Sequence, residues 1–142
     1  MHIFFSMDKA EIQRLSEFWQ DASARDFLTA TDIFNRTENN VAVLFFIHLT
    51  LEKILKALYV TTKAAHAPFS HNLLYLLKET GIDVNETDRQ LLSEINEFNI
   101  EARYPDERFL IYQKATRDFT QKYIENTKRL NQWISGILKE RQ

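Results

Sequence analysis

The chain contains no cysteine, which removes disulfides, thiolate catalysis and cysteine-ligated zinc from consideration. Only two glycines and two prolines occur among 142 residues. So few breakers argue for long helices over strands joined by tight turns. No strong charge of either sign is present: the net charge is −2 and the pI is near 6.1. There is thus no global pull toward nucleic acid, and any such binding needs a local basic patch. No long hydrophobic run occurs either. The longest, from Val41 to Ile47, spans seven residues, against the roughly 20 that cross a bilayer. The opening MHIFFSMDK has three consecutive apolar residues with no basic segment ahead of them, unlike a signal peptide. The chain reads as soluble and cytoplasmic, with no membrane association.

What is present is a helical pattern. With 44% hydrophobic and 27% charged residues, the composition is that of a globular domain, and the length fits a single domain over residues 1–142. Aromatic residues make up 13%, eleven of them Phe. That supplies a large core or an apolar oligomer interface. Asp8 followed by Glu11 marks a helix start. Ile12, Leu15, Trp19, Ala22, Phe27, Ala30 and Phe34 then continue at helical spacing to Arg36. A second helix is expected from Val41 to Lys63, and a loop from Ala64 to Ser70 around Pro68. Ser70 is expected to cap a short third helix ending at Gly81. Thr87 with Gln90 is expected to open a fourth that stops near Arg103, because Tyr104 precedes Pro105. A last helix is expected over Ile111–Lys139 with Phe119, Tyr123, Leu130, Ile134 and Ile137 as its stripe. The fold class is all-α, an antiparallel up-and-down bundle of about five helices.

Polar residues interrupt the second helix in a regular way. His48, Glu52 and Lys56 recur four residues apart in IHLTLEKILKA, which stacks them on one face. Two readings are open. In one, Glu52 and Lys56 form a structural ion pair. In the other, Glu52 orients Lys56 toward a phosphate, with Lys53 and Lys63 nearby as a small basic patch. The segment Glu101-Ala-Arg-Tyr-Pro-Asp-Glu-Arg108 is either a solvated helix terminus with internal ion pairs, or a site where Arg103 forks onto a phosphate and Tyr104 stacks on a base. His66 and His71 are five apart across a proline-containing loop, a poor ligand spacing, so no metal and no cofactor is expected. No glycine-rich phosphate loop, nucleophile elbow or paired acidic metal site is found.

Three segments, in order, resemble the HEPN domain family. The first is WQDASARDFLTA, Trp19 through Ala30, on the first long helix. The second is Glu52-Lys-Ile-Leu-Lys-Ala57, similar to an EKxxKA signature. The third pairs Ser70-His-Asn-Leu73 with Ala102-Arg-Tyr-Pro105. The resemblance extends over roughly residues 16–135. It implies an antiparallel helical bundle, frequently dimeric, associated with nucleotide or RNA binding and with small nucleotidyltransferase partners. Carried onto this chain, it implies a nucleotide-binding site of Glu52, Lys53, Lys56, His71, Arg103 and Tyr104. Ribonuclease members of the wider superfamily carry an Arg and a following His with four to six residues between them. No arginine here has a His in that window, and after Arg103 those positions hold Arg108, Phe109 and Leu110. The expectation is therefore a non-catalytic nucleotide- or nucleic-acid-binding module, a homodimer acting with a separate small nucleotidyltransferase subunit in a toxin–antitoxin-like or stress-defence system. The alternatives are a divergent ribonuclease or toxin in which His71 replaces the missing histidine, and a purely structural protein-interaction partner.

Overall fold

The computed structural model describes residues 7–141. The segment 1–6, on which the expectation of no signal peptide mostly rests, lies outside them. Among the described residues the chain folds as six α-helices and one 3-10 turn, with no strand. They are α1 (Lys9–Arg36), α2 (Asn40–Lys63), α3 (Leu73–Thr80), α4 (Glu86–Asn96), the 3-10 turn Ile100–Ala102, α5 (Pro105–Lys114) and α6 (Arg117–Arg141). None of these helices is long and apolar enough to cross a membrane.

Helix α2 is the axis of the bundle. Of its 24 residues 14 are buried, so it is enclosed on most of its circumference, and it touches α1, α3, α4 and α6. Those four helices bury one stripe each against it. On α1 the expected large side chains flank the seam, while the residues buried in it are small: Ser16, Ala22, Ser23 and Ala30. Small residues at the contact let two helix axes approach closely. Ser23 Oγ then donates to the Thr50 carbonyl at 2.7 Å, and Lys53 Nζ meets Asp26 Oδ2 at 2.6 Å. The bundle's core continues through Leu44, Ile47, Leu51, Leu55 and Leu58 on α2 to Leu130, Ile134 and Leu138 on α6. Phe98, Phe119 and Tyr123 pack ring to ring, with centroids 4.8–6.0 Å apart, and fasten the chain after α4 onto α6.

The first two helices start and stop close to where the sequence places them. The Asp8 carboxylate accepts from the Glu11 amide at 2.8 Å, and α2 begins at Asn40 behind an Asn39 cap. Gly81 closes α3 at φ +71°, in the left-handed region.

The later boundaries differ from expectation. Helix α3 is capped by Asn72, whose side chain accepts from the Leu74 and Tyr75 amides. Ser70 stands one step back and accepts from the Asn72 amide. Helix α4 is opened by Asn85, which accepts from the Asp88 amide at 2.7 Å, and not by Thr87. Asn exceeds Thr as a cap, and that preference decides both the residue and the register here. Helix α4 also ends at Asn96, earlier than the expected Arg103, because the terminus finds other partners. The Asn96 side chain accepts from the Leu73 amide at 2.9 Å and its carbonyl accepts from Arg103 Nη2 at 3.2 Å. The expected single C-terminal helix is two. Pro105 begins α5 at its first position, where its missing N–H costs nothing. At the break, the Ala115 carbonyl accepts from Asn40 Nδ2 at 2.9 Å, while Thr116 Oγ1 accepts from the Phe119 amide and starts α6.

Candidate functional site

The polar row on α2 faces the bundle interior. His48 is fully buried, and Glu52 and Lys56 are only 3% and 5% exposed. Charges this deep are costly unless each is partnered, and Glu52 is partnered on both oxygens. Lys56 Nζ donates to Oε2 at 3.2 Å. The ring of His71, from the loop before α3, meets Oε1 through Nδ1 at 2.8 Å. A carboxylate can only accept, so Nδ1 of His71 carries the proton and Nε2 is the free ring atom. Above Lys56 lies the Trp19 ring of α1, its centroid 5.1 Å from the ammonium. The result is one chain of contacts from Trp19 through Lys56 and Glu52 to His71.

His48 supports this chain from beneath. Its Nε2 donates to the His71 backbone carbonyl at 2.9 Å, since a carbonyl can only accept. That leaves Nδ1 bare, buried without a hydrogen-bond partner and 4.0 Å from Glu52 Oε1. Burial holds the His48 pKa below its ordinary value of 6.5, against the opposing pull of the Glu52 charge. His48 is therefore the neutral Nε2–H tautomer.

The exposed side of the network is small. The His71 side chain is half exposed and meets the edge of the fully exposed Phe69 ring, with centroids 5.7 Å apart. It borders a cleft of about 260 Å³ that Phe45, Leu49, Asn99, Glu101 and Ala102 also line. Arg103 follows directly. Its Nη1 contacts Glu97 at 3.2 Å and Glu107 at 3.3 Å, and Nε is buried without a partner.

Of the residues that the resemblance nominates, Glu52, Lys56 and His71 are bonded together. Arg103 stands beside the His71 cleft but is held by its own carboxylates. Lys53 pairs with Asp26 across the α1–α2 seam. Tyr104 is 78% exposed at the start of α5 and touches none of the three. Besides Trp19, which belongs to a resembling motif but not to the nominated site, two contributors lie outside the set. His48 is one, and its place in the four-residue row is the signal that points to it. Phe69 is the other, and it carries no signal beyond adjacency to the Ser-His motif. Among the described residues no three His, Asp or Glu side chains converge as metal ligands.

Two outcomes follow from this geometry. Lys56→Ala strands a buried carboxylate, so it is expected to lower unfolding stability by about 3 kcal/mol, read from urea denaturation. An intact fold with unchanged stability would contradict an internal counter-ion. For His48 the sign is set by its depressed pKa: the unfolded chain binds the extra proton, so stability is full above pH 6.5 and erodes as pH falls below it. His48→Gln keeps a donor that does not titrate. Melting temperatures should accordingly drop more steeply for wild type than for the variant between neutral pH and mild acid.

Comparison with known proteins places this arrangement in a wider group. The crystal structure of TT1696 from Thermus thermophilus shares the fold, with a TM-score of 0.69 at 17% identity, over 89% of this chain and 98% of that one. No curated protein matches the sequence. The family model for the HEPN domain matches residues 16–138, a span that takes in Trp19, the α2 row, His71 and Arg103. With most of its length and every member of the buried network inside that match, the chain belongs to the HEPN domain family, a group of nucleotide- and RNA-related helical modules.

Proposed function

We propose that this chain is a nucleotide-binding module whose ligand occupies the cleft beside His71, and that it works as a homodimer with a separate small nucleotidyltransferase subunit in a toxin–antitoxin-like or stress-defence system. The observation that carries the binding reading is the imidazole itself: half exposed at a cleft, with Nδ1 fixed by a buried carboxylate. With Nδ1 committed, Nε2 accepts from a base or ribose when neutral and donates to a phosphate when protonated. Arg103 supplies the second polar contact. Its partner Glu97 is largely exposed, so that ion pair is weak and a phosphate can replace it with a bidentate contact. Lys56 acts behind this surface as the counter-ion of Glu52, which in turn aims His71. Dimerisation and the nucleotidyltransferase partnership rest on the family resemblance.

Calorimetry with AMP is expected to show binding at millimolar ligand, weakened about tenfold in His71→Ala by loss of one charged hydrogen bond. No heat at that concentration, or identical binding by the variant, would sink the cleft as the site.

The same 2.8 Å contact also favours a second reading, a ribonuclease without the Arg–His motif. Here Nε2 takes the proton of a ribose 2′-hydroxyl as that oxygen attacks the adjacent phosphorus, and Arg103 neutralises the phosphorane. The P–O5′ bond then breaks, and the departing 5′-oxygen takes the proton back from Nε2 to leave a 2′,3′-cyclic phosphate and a 5′-hydroxyl. Incubation of the purified protein with RNA would then give cleavage that His71→Ala abolishes. RNA left intact by the wild type removes this reading.

A further inference from the structure

Asn99 is the least expected residue at the cleft beside His71. It is only 7% exposed, yet its side chain makes no hydrogen bond among the described residues, not even to the 3-10 turn that it precedes. A buried amide ordinarily finds a partner inside the protein, and leaving one without costs its desolvation. The little surface that Asn99 keeps borders the cleft. Its main chain is fixed on both sides. Phe98 before it packs edge-on against Phe119 and Tyr123, and the Asn99 carbonyl accepts from the Ala102 amide at 3.1 Å. The amide is thus held in place and turned to a space that no described residue fills.

The charges around it decide what can enter. The exposed Glu101 also lines the cleft, and Arg103 beside it is attended by Glu97 and Glu107. A carboxylate only accepts, so the cleft favours a neutral group that carries N–H donors and keeps a phosphate at its rim. Phe45 and Leu49 give it an apolar wall for a flat ring. We propose that Asn99 reads the base of the nucleotide bound there and selects adenine, its amide accepting from the 6-amino group and donating to N7. The proposal rests on the nucleotide-binding reading and deepens it. Either orientation of the amide sets one donor beside one acceptor, the pattern complementary to that edge of adenine. Guanine shows O6 and N7 there, two acceptors, which leaves the Asn99 oxygen facing another oxygen. In IMP an oxygen replaces the 6-amino group, with the same result. Glu101 favours the same choice, since an amino group offers it a hydrogen and an oxo group repels it.

The test is calorimetry with AMP, IMP and GMP on wild type, Asn99→Ala and Asn99→Asp. The wild type should bind AMP about tenfold more tightly than IMP or GMP, the discrimination of one bidentate contact. In Asn99→Ala the three should bind alike, with the melting temperature kept, since the side chain bonds to nothing in the fold. Asn99→Asp keeps the acceptor and loses the donor to N7, so it too should lose the preference. AMP and IMP bound alike by the wild type overturns the assignment, and leaves the cleft reading standing if His71→Ala weakens both. An AMP preference that survives in Asn99→Ala also overturns it, as does GMP bound more tightly than AMP. No binding of any of the three sinks the cleft reading and this one together.

Discussion

A single buried carboxylate organises this molecule. Glu52 lies on the most enclosed helix, where an ionised side chain survives only if its oxygens are met by donors. One donor is four residues along the same helix, and the other arrives from a loop nineteen residues away in sequence. The requirement therefore constrains more than α2. It fixes the loop before α3 against the bundle and brings Trp19 of α1 over Lys56. The motif residues that stand apart along the chain, a tryptophan, an EKxxKA run and a Ser-His pair, are successive links of one contact path. Their order in the sequence follows from α1, α2 and the loop being stacked in that order around Glu52.

This arrangement redistributes the positive charge that the sequence suggests on α2. Lys56 is consumed internally, and Lys53 is held by Asp26 across the helix seam. Lys63, at the end of α2, makes no ion pair among the described residues, and the cation beside the His71 cleft is Arg103. Even Arg103 is attended by two carboxylates, so an anion there exchanges one partner for another and gains only the difference in binding strength. Such a site suits a ligand with several weak attachments better than one held by a single strong contact.

How much of this is legible in the sequence depends on where the deciding partner lies. Helices α1 and α2 are long, strongly periodic and capped by Asp8 and Asn39, so local sequence determines them. The later boundaries turn on competition between neighbouring caps, Asn72 with Ser70 and Asn85 with Thr87, and on tertiary bonds. The end of α4 depends on Leu73 and Arg103 reaching Asn96, and the break before α6 on Asn40 reaching Ala115. None of these pairs is visible as a local pattern. The site divides in the same way. The spacing of His48, Glu52 and Lys56 is legible as a face. That the face points inward, and that His71 completes it, depends on the packing of a loop that spacing does not encode.

His48 holds that loop by the backbone carbonyl of residue 71 and not by its ring. Such an anchor is blind to the side chain presented there. The tether that positions the loop and the ring that meets Glu52 are thus separable: the main chain at position 71 can stay in place while the side chain changes, provided that the newcomer still donates to the Glu52 oxygen it faces. A buried acid on α2 thereby restricts the chemistry of an exposed loop position.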